Sequence, residues 1–404
     1  SKCGFNGFLM VQNGLVYTSI AHQGTFSAWT SGRGNNYNYP YAYGVDNMRV
    51  VNFPGETGNL IDADTNAYSC AYALFDTGNL YTWGYNQNGQ CGLGHTNVVS
   101  VPTLAATLVT DVYMHPSNSE YALASKLVIK KTDGYLYVTG YNGYGQLGLG
   151  HTNATTSFTK LTSLGTSFLG VWNLGADFGC LIVQKGDYSI WAAGYNGYGQ
   201  LGDGSVTNRP TPVNVTTAWG GGSGKTVTKI TGGWGNGDNG YGSFTAMLID
   251  DGTTNYLKTA GWNGYGQLGN SLGSGYNNTP QSILSGTGTT KIADMAAVGG
   301  GIGTMFALRQ NGTLLGWGYN GLGQIGDGSV TNRASPVTVG TGYASLENDG
   351  QTNYSRGWYT PSMVKKTDGR LYASGYNGYA QLGVGDLINR STFTEVRLPE
   401  DYTL

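Results

Sequence analysis

One eleven-residue string recurs along this chain at an almost constant spacing. It reads GYNGYGQLGLG at 140–150, and the other copies begin at Gly84, Gly194, Gly261, Gly318 and Gly375. Subtracting consecutive first-glycine positions gives spacings of 56, 54, 67, 57 and 57 residues. A sustained period of this size is typical of a solenoid, a propeller or an array, in which each unit buries its apolar face against its neighbours. We therefore expect a fold built by repetition.

A second pattern precedes each copy of the string, which we call the glycine motif. In the segments 127–140, 306–318 and 363–375 a short apolar run reaches an Asp-Gly or Asn-Gly pair, and an aromatic-rich run follows. Such a pair is a strong hairpin signal because both central residues of a type I′ turn need positive φ. Equivalent turns are predicted at Asn13-Gly14, Thr77-Gly78, Gly186-Asp187 and Asp251-Gly252, which brings the number of repeat units to seven.

The stretch after each motif also reads as a strand, as in Phe158 to Leu164, and a further strand follows, as in 290–300. We interpret the strand after the motif as the opening strand of the next unit. One unit is then four short antiparallel strands, and the motif leads from one unit to the next. No helical periodicity is long enough to predict a helix. Four-stranded units repeated about an axis form a β-propeller, so the predicted fold is all-β.

The two ends of the chain suggest how the ring closes. The segment 8–19 supplies only the later strands of a unit, whereas 393–398 is an opening strand with no hairpin after it. We predict that the N- and C-terminal strands share one blade and close a seven-bladed ring. The whole of 1–404 is then one domain, with blade 1 from 1–44 plus 391–404 and blades 2–7 from 45–390.

The repeated residues have structural explanations. The glycines allow backbone angles that other residues avoid and let neighbouring blades approach. The Asn and Gln side chains are expected to bond backbone groups that the turn leaves unpaired. Leu147 and its equivalents should fill the space between blades. A ring of identical positions does not produce one asymmetric catalytic constellation, so the repeat itself gives no active site.

Composition excludes several classes of function. Charged residues are 11% of the chain, with Lys+Arg 21 against Asp+Glu 23 and a net charge of -2. No basic run restores the electrostatic footprint of a nucleic-acid binder, so no nucleic-acid partner is expected. No apolar run approaches the ~20 residues of a membrane span, and no signal peptide opens the chain. Because it begins with Ser1, we expect a processed or excised chain.

Metal, cofactor and catalytic sites are not predicted. Cys3, Cys70, Cys91 and Cys180 lack the CxxC spacing of a zinc site or redox pair. Buried free thiols are the simplest interpretation, and two disulfides stay open. Cys91 supports free thiols because it occupies the motif position of Leu147, and free cysteine packs like a small hydrophobe.

The remaining chemical candidates also have structural explanations. The histidines are scattered, and those in GHTN, at 95 and 151, are interpreted as loop residues. The run GGGSGKT at 220–226 is similar to a phosphate-binding loop but lacks its first glycine and a following helix, so we interpret it as a flexible insertion. No serine, histidine and acid cluster emerges, and the chain is predicted not to be an enzyme.

Aromatic side chains are the better functional candidates. Those at matching motif positions should form a belt on one face or rim, either as a binding surface or as packing between blades. They are Tyr141, Tyr144, Tyr195, Tyr198, Trp262, Tyr265, Tyr319, Tyr376 and Tyr379. Non-repeated loops at 21–44, 217–243 and 342–362 are where specificity would more naturally lie. Their candidates are Tyr37, Tyr39, Tyr41, Tyr43, Trp219, Trp234, Tyr241, Trp358 and Tyr359.

The string N-x-x-G-Q-L-G-x-G after a D-G-x-L-Y-x-x-G hairpin resembles the repeat of the regulator of chromosome condensation family. The resemblance covers nearly the whole chain, and it implies a seven-bladed propeller. The family includes a nucleotide exchange factor for a GTPase and a plant ultraviolet-B photoreceptor. This chain has no basic tail and no GWRHT string, so neither activity is carried over residue by residue.

The low charge and near-identical motif copies are similar to propellers of this type carried by bacteriophages and bacterial surface proteins. This resemblance suggests a non-enzymatic binding propeller on a virion or cell exterior, such as a phage tail component that recognises a host-surface glycan or protein. One alternative is a structural virion protein that contacts other virion proteins. The other is a cytoplasmic regulatory scaffold acting on a GTPase or another protein.

Overall fold

The computed structural model describes residues 2–4, 7–12, 15–19, 48–65, 70–114, 125–175, 179–233, 242–273, 275–299, 303–347 and 359–397, with side chains from residue 51 onward. These residues form antiparallel four-stranded sheets. The helical elements that lie wholly within the described part are short: α1 (Thr216–Trp219) and two 3-10 turns (Thr162–Leu164 and Gly288–Thr290). The predicted all-β class is confirmed.

Each sheet takes four strands that are consecutive in the chain. The first strands are β1 (Lys2–Gly4), β5 (Leu60–Thr65), β9 (Val109–Tyr113), β13 (Phe168–Leu174), β17 (Thr226–Gly233), β21 (Ile292–Val298) and β25 (Tyr343–Leu346). The second strands are β2 (Gly7–Gln12), β6 (Cys70–Phe75), β10 (Lys126–Lys131), β14 (Cys180–Lys185), β18 (Phe244–Asp250), β22 (Thr304–Arg309) and β26 (Ser362–Lys366).

The third and fourth strands complete the sheets. The third strands are β3 (Leu15–Ser19), β7 (Leu80–Gly84), β11 (Leu136–Gly140), β15 (Ile190–Gly194), β19 (Thr254–Trp262), β23 (Leu314–Gly318) and β27 (Leu371–Gly375). The fourth strands are β4 (Met48–Val50), β8 (Val99–Ala106), β12 (Thr155–Leu161), β16 (Arg209–Asn214), β20 (Tyr276–Thr287), β24 (Arg333–Gly340) and β28 (Arg390–Glu395).

The predicted hairpins join the second and third strands. In the β9–β12 sheet, Lys130 pairs with Leu136 on either side of the Asp-Gly turn. Gly134 has a φ of +80°, as the turn requires. At the Gly186-Asp187 turn the positive φ falls instead on Tyr188, at +66°. The Asn13-Gly14 pair lies outside the described residues.

The motif joins two strands of one sheet, which corrects the predicted unit boundary. β12 pairs with β11, with Leu136 opposite Leu161 and Gly140 opposite Thr155. The strand after the motif is therefore the fourth strand of the sheet that precedes it. An edge strand carries the same alternating pattern whichever sheet accepts it, so the sequence pattern could not distinguish the two assignments.

The same correction applies to the chain ends. β28 pairs with β27, with Tyr372 opposite Glu395 and Gly375 opposite Arg390. The N-terminal sheet takes its fourth strand from β4, with Ser19 opposite Met48. The prediction that blade 1 combines 1–44 with 391–404 is therefore wrong, because the last strand completes its own sheet and residues 48–50 belong to the first.

The sheets pack face to face around their first strands. β9 and β13, β13 and β17, β17 and β21, and β21 and β25 lie next to one another, so the first strands form the inner layer. The hydrophobic core lies between consecutive sheets, where Ile182 and Leu174 pack with Met247 and Val227. A second such cluster joins β18 to β22 and β23 through residues that include Trp317. Apolar layers between neighbouring sheets are characteristic of a propeller.

Candidate functional site

The Asn of each motif holds the loop closed from within. The buried Asn142 side chain accepts a hydrogen bond from the Leu147 N–H at 2.9 Å and donates to the carbonyls of His151 and Asn153 at 2.8 and 3.0 Å. The Oδ1 bond recurs in the other copies at 2.8 to 3.0 Å. The prediction that Asn satisfies turn groups is confirmed.

The Gln of each motif fixes the preceding turn. The Gln146 side-chain oxygen accepts a hydrogen bond from the Tyr144 N–H at 2.9 Å, and the equivalent bond occurs in the other copies. The fourth motif residue is glycine for another reason. A Cβ on Gly143 would lie 2.2 Å from the Tyr141 hydroxyl, so the tyrosine ring folds over this glycine. In the first copy Gln87 replaces the glycine, and the Tyr85 hydroxyl donates a hydrogen bond to its side chain.

The first five motifs also contact the sheet that follows. A Cβ on Gly145 would lie 2.2 Å from the Cα of Pro210 in β16. The Thr139 hydroxyl donates a hydrogen bond to the Gly89 carbonyl of the preceding motif at 2.8 Å. Trp317 Nε1 donates to the Gln267 carbonyl at 3.0 Å. These contacts put successive motifs on the same end of the sheets, which we call the motif side, and the hairpin turns on the opposite end, the turn side.

The motif tyrosines form contacts that run from one repeat to the next. Tyr144 meets Tyr141 of its own motif and Tyr195 of the next, with ring centroids 6.3 and 5.1 Å apart. Tyr265 links Trp262 to Tyr319 of the next motif at 5.4 and 5.3 Å. All are edge-to-face, the geometry that aromatic pairs favour.

Most of these rings are half-buried. Burial raises the pKa of Tyr195 to about 12. Tyr141, Tyr144, Tyr198, Trp262 and Tyr265 are half-buried, and Tyr198 contacts Tyr276 at 6.5 Å. The predicted belt therefore packs between repeats and also presents ring edges on the motif side.

The candidate residues in the non-repeated loops differ in their locations. Trp219 is fully buried at the end of α1, and its Nε1 donates to the Leu201 carbonyl at 2.9 Å, so it is a core residue. Tyr359 is exposed and lies 4.5 Å from the Tyr376 ring, which in turn contacts the 77% exposed Tyr379. The remaining candidates lie outside the described residues: Tyr37, Tyr39, Tyr41, Tyr43, Trp234, Tyr241 and Trp358.

The motif side also carries a set of exposed apolar side chains that was not predicted from the sequence. They occupy the connections between the motifs and the fourth strands, and each is 42% to 66% exposed: Val98, Val206, Leu272, Val330, Leu387 and Ile388. Their recurrence shortly before the fourth strand was the available signal. Scattered exposed apolar residues are ordinary, but a set repeated at one position is a feature of the surface.

Charge is nearly absent from these loops. Between the first motif glycine and the fourth strand, the six loops contain only three residues of the types Asp, Glu, Lys and Arg: Asp203, Asp327 and Asp386. Each pairs with the arginine that begins the fourth strand, as in Arg333–Asp327 and Arg390–Asp386, both at 2.6 Å.

The pKa of Asp203 shows how these pairs are stabilised. Burial alone raises this pKa, but hydrogen bonds from Arg209, Ser205 and Asn196 outweigh burial and hold it below the ordinary value. The carboxylate is therefore ionised and neutralised within the loop. It presents no net charge to a partner.

The turn side carries most of the other described ion pairs. These include Lys130–Asp111, Lys160–Asp133, Lys229–Asp294, Lys291–Asp250 and Arg370–Glu395. Lys160 also lies over the Tyr135 ring, 3.7 Å from its centroid. The two ends of the sheets thus differ in character, one neutral and aromatic and the other charged.

Other predicted features of chemistry have structural roles. Asn86 and Asn142 donate to the backbone carbonyls of His95 and His151, so both histidines belong to the motif loops. α1 precedes GGGSGKT and β17 follows it, so the run does not open a helix. Within the described ranges no three potential metal-ligating side chains cluster. None of the helices described has the length and apolar character needed to span a membrane.

Comparison with known proteins gives one family match. The model of the regulator of chromosome condensation (RCC1) repeat matches residues 77–114.

The ultraviolet-B receptor of Arabidopsis thaliana is 26% identical over 77% of this chain and 64% of the receptor. A human E3 ubiquitin-protein ligase is 25% identical over 76% of this chain but only 6% of the ligase. The X-linked retinitis pigmentosa GTPase regulator of Canis lupus familiaris is 34% identical over 35% of this chain and 14% of the regulator. The chain thus spans less than two thirds of the length of each of these relatives.

Solved structures show the same architecture. Human WBSCR16 superposes with a TM-score of 0.56 at 17% identity, covering 87% of this chain and 85% of that one. Prp20p of Saccharomyces cerevisiae superposes with a TM-score of 0.53 at 15% identity, covering 84% and 77%. At these identities the similarity shows the fold alone.

Proposed function

Because the chain belongs to the RCC1-repeat family, we propose that it is a non-enzymatic regulatory propeller that acts by binding a protein partner. The binding surface in this proposal is the motif side. Propellers of this kind supply a rigid platform on which loops differ, and function resides in those loops.

The charge distribution of the motif loops carries the proposal. Only Asp203, Asp327 and Asp386 are charged in the six loops, and each is neutralised by its arginine. Exposed Val206 and Val330 lie on the same side of the sheets as half-buried tyrosines such as Tyr198. Depletion of charge with enrichment of aromatic residues is the composition of the core of a protein interface.

The relatives guide the choice of partner class. One is named a GTPase regulator, and Prp20p is described with its binding properties to Gsp1p and histones. A GTPase or another protein is therefore the first class to test, and an intracellular site of action accompanies this proposal. A virion receptor-binding role for a glycan receives no support from these relatives, and we rank it below the regulatory one.

The number of blades is part of the same proposal. We infer that the N-terminal sheet and the six sheets from Leu60 to Glu395 are seven blades of one ring. Closure would then come from packing of the β25–β28 sheet against the β1–β4 sheet, without a shared strand. A closed ring would present the motif loops as one continuous surface.

The test compares two variants with the wild type. The double variant Val206→Glu/Val330→Glu adds charge to the motif side. The control variant Leu169→Glu adds charge at an exposed position of the turn side. A protein captured by the wild-type chain from lysate is identified, purified and titrated against each variant. We expect at least tenfold weaker binding for the motif-side variant and unchanged binding for Leu169→Glu. Equal binding by all three proteins would contradict the assignment of the motif side.

A further inference from the structure

Two cysteine thiols meet in the interior of the β5–β8 sheet. Cys70 begins β6, and Cys91 lies in the first motif. Both are buried, at 3% and 0% exposed, and they belong to one hydrophobic cluster. The Cys70 Sγ is 3.7 Å from the carbonyl oxygen of Gln90, the residue before Cys91. The two side chains are therefore neighbours although 21 positions separate them in the sequence.

The repeat shows that these two positions pack together elsewhere. At the corresponding pair in two later sheets, β13–β16 and β17–β20, Cys180 shares a cluster with Leu201 and Phe244 shares one with Leu268. Among the described sheets with a motif, only β5–β8 has cysteine at both positions. In the β13–β16 sheet, Cys180 faces a leucine and has no thiol partner at this position.

We propose that Cys70 and Cys91 are a disulfide-forming pair that links β6 covalently to the first motif. A low-molecular-weight disulfide such as oxidised glutathione supplies the oxidising equivalents. One cysteine thiolate attacks it, forms a mixed disulfide and releases one glutathione thiol. The second cysteine thiolate then attacks the mixed disulfide, forms the Cys70–Cys91 bond and releases the second glutathione thiol.

The environment of the pair determines when this bond forms. A hydrogen bond with Cys70, together with burial, raises the pKa of the Cys91 thiol well above its ordinary value. Thiol attack in the closed native state is consequently slow, because the thiolate is the nucleophile. The disulfide should form during folding in the presence of the oxidant, or when the motif loop opens. This inference does not depend on the proposed partner binding.

The experiment uses the full-length protein refolded with a mixture of oxidised and reduced glutathione, and in parallel with a reductant only. Free thiols are counted in denaturant with a chromogenic disulfide reagent, and non-reducing peptide mapping identifies any linked peptides. The sequence contains four cysteines. We expect oxidative refolding to leave two free thiols and to yield one linked pair of peptides containing Cys70 and Cys91. The oxidised protein should also melt at a higher temperature than the reduced one.

Cys91→Leu is the matched control because leucine occupies this position in most other motifs. It should fold and keep all three remaining thiols under both conditions. Cys70→Thr, which copies Thr304 at the start of β22, gives a second such control. Four free thiols in the oxidatively refolded wild type would overturn the proposal. A disulfide that includes Cys3 or Cys180, or one that persists in Cys91→Leu, would overturn it as well.

Discussion

Gly145 of the second motif lies directly against Pro210 of the next sheet, so closely that a Cβ on the glycine would be 2.2 Å from the proline Cα. The same relationship joins Gly89 to Thr156 and Gly323 to Ser391. Real Cβ atoms do not approach a backbone carbon this closely, so the glycine is required by the neighbouring sheet. The recurrence of this glycine is thus a consequence of packing between sheets.

Gly145→Ala should destabilise the protein by about 3 kcal/mol or more, because a left-handed φ costs about 1–2 kcal/mol and overpacking a similar amount. The control is Gly369→Ala, at an Asp-Gly turn with a φ of +83° and no atom within 4 Å of the added Cβ. It should cost only the left-handed φ, about 1–2 kcal/mol. Urea unfolding of the two variants measures both values, and equal losses would show that contact with Pro210 is unimportant.

Asn142→Ala should lower the free energy of unfolding by about 3 kcal/mol, since it leaves the buried Leu147 N–H without an acceptor and removes two further bonds. Asn153→Ala removes an exposed side chain nearby and should stay within about 0.5 kcal/mol of wild type. Chemical denaturation of the pair checks the difference. A small effect for Asn142→Ala would mean that water replaces the lost contacts.

The buried side chain of Lys126 should make the free energy of unfolding depend on pH in a specific way. Its ammonium is buried between two sheets and donates to the carbonyls of Leu174 and Gly175 at 3.0 and 2.9 Å. Burial lowers its pKa from 10.5 to about 8. The unfolded chain therefore binds more protons than the folded protein between these pH values, and stability due to this group rises with pH there.

The Lys126→Met variant isolates that contribution. We expect the wild type to gain stability relative to Lys126→Met as the pH rises from 8 towards 10. The quantity compared is the free energy of unfolding of the wild type minus that of the variant. Denaturant unfolding at half-unit pH intervals measures the difference. Parallel curves for the two proteins would contradict a lowered pKa for Lys126.

The repeat allowed the strands, hairpins and motif hydrogen bonds to be predicted, because each depends on contacts within one repeat. The boundary between repeat units could not be predicted, because the sequence of β12 fits either neighbouring sheet and only its pairing with β11 assigns it. Trp219 resembled a binding residue in sequence, but the Leu201 carbonyl and the surrounding core bury it. The set of exposed residues such as Val206 was missed because their recurrence shortly before the fourth strand becomes a signal only when the fourth strand is correctly assigned.

Ring closure predicts one particular contact. In four copies the sixth motif residue lies against the second residue of the next sheet's fourth strand, as Gly145 does against Pro210. In the last copy this residue is Ala380, whose φ of +60° reproduces the glycine conformation. The equivalent second residue of β4 is Arg49. A double variant, Ala380→Cys with Arg49→Cys, should form a disulfide under mild oxidation, detected by non-reducing peptide mapping.

The control for closure moves one of the cysteines by one position. Ala380→Cys with Val50→Cys should link much less, because successive strand residues point to opposite faces. Intermolecular links between these positions, or none at all, would argue for an open array of sheets.

Hydrogen exchange of the complex with the captured protein partner tests the central claim most directly. Amide protection is compared between free and bound chain for peptides from the motif loops, such as 84–98, 194–208 and 318–332, and for peptides from the hairpin turns, such as 131–136 and 309–314. We predict that partner binding slows exchange in the motif loops and leaves the turns unchanged. Protection confined to the turns would contradict the assignment of the neutral, aromatic motif side as the binding surface.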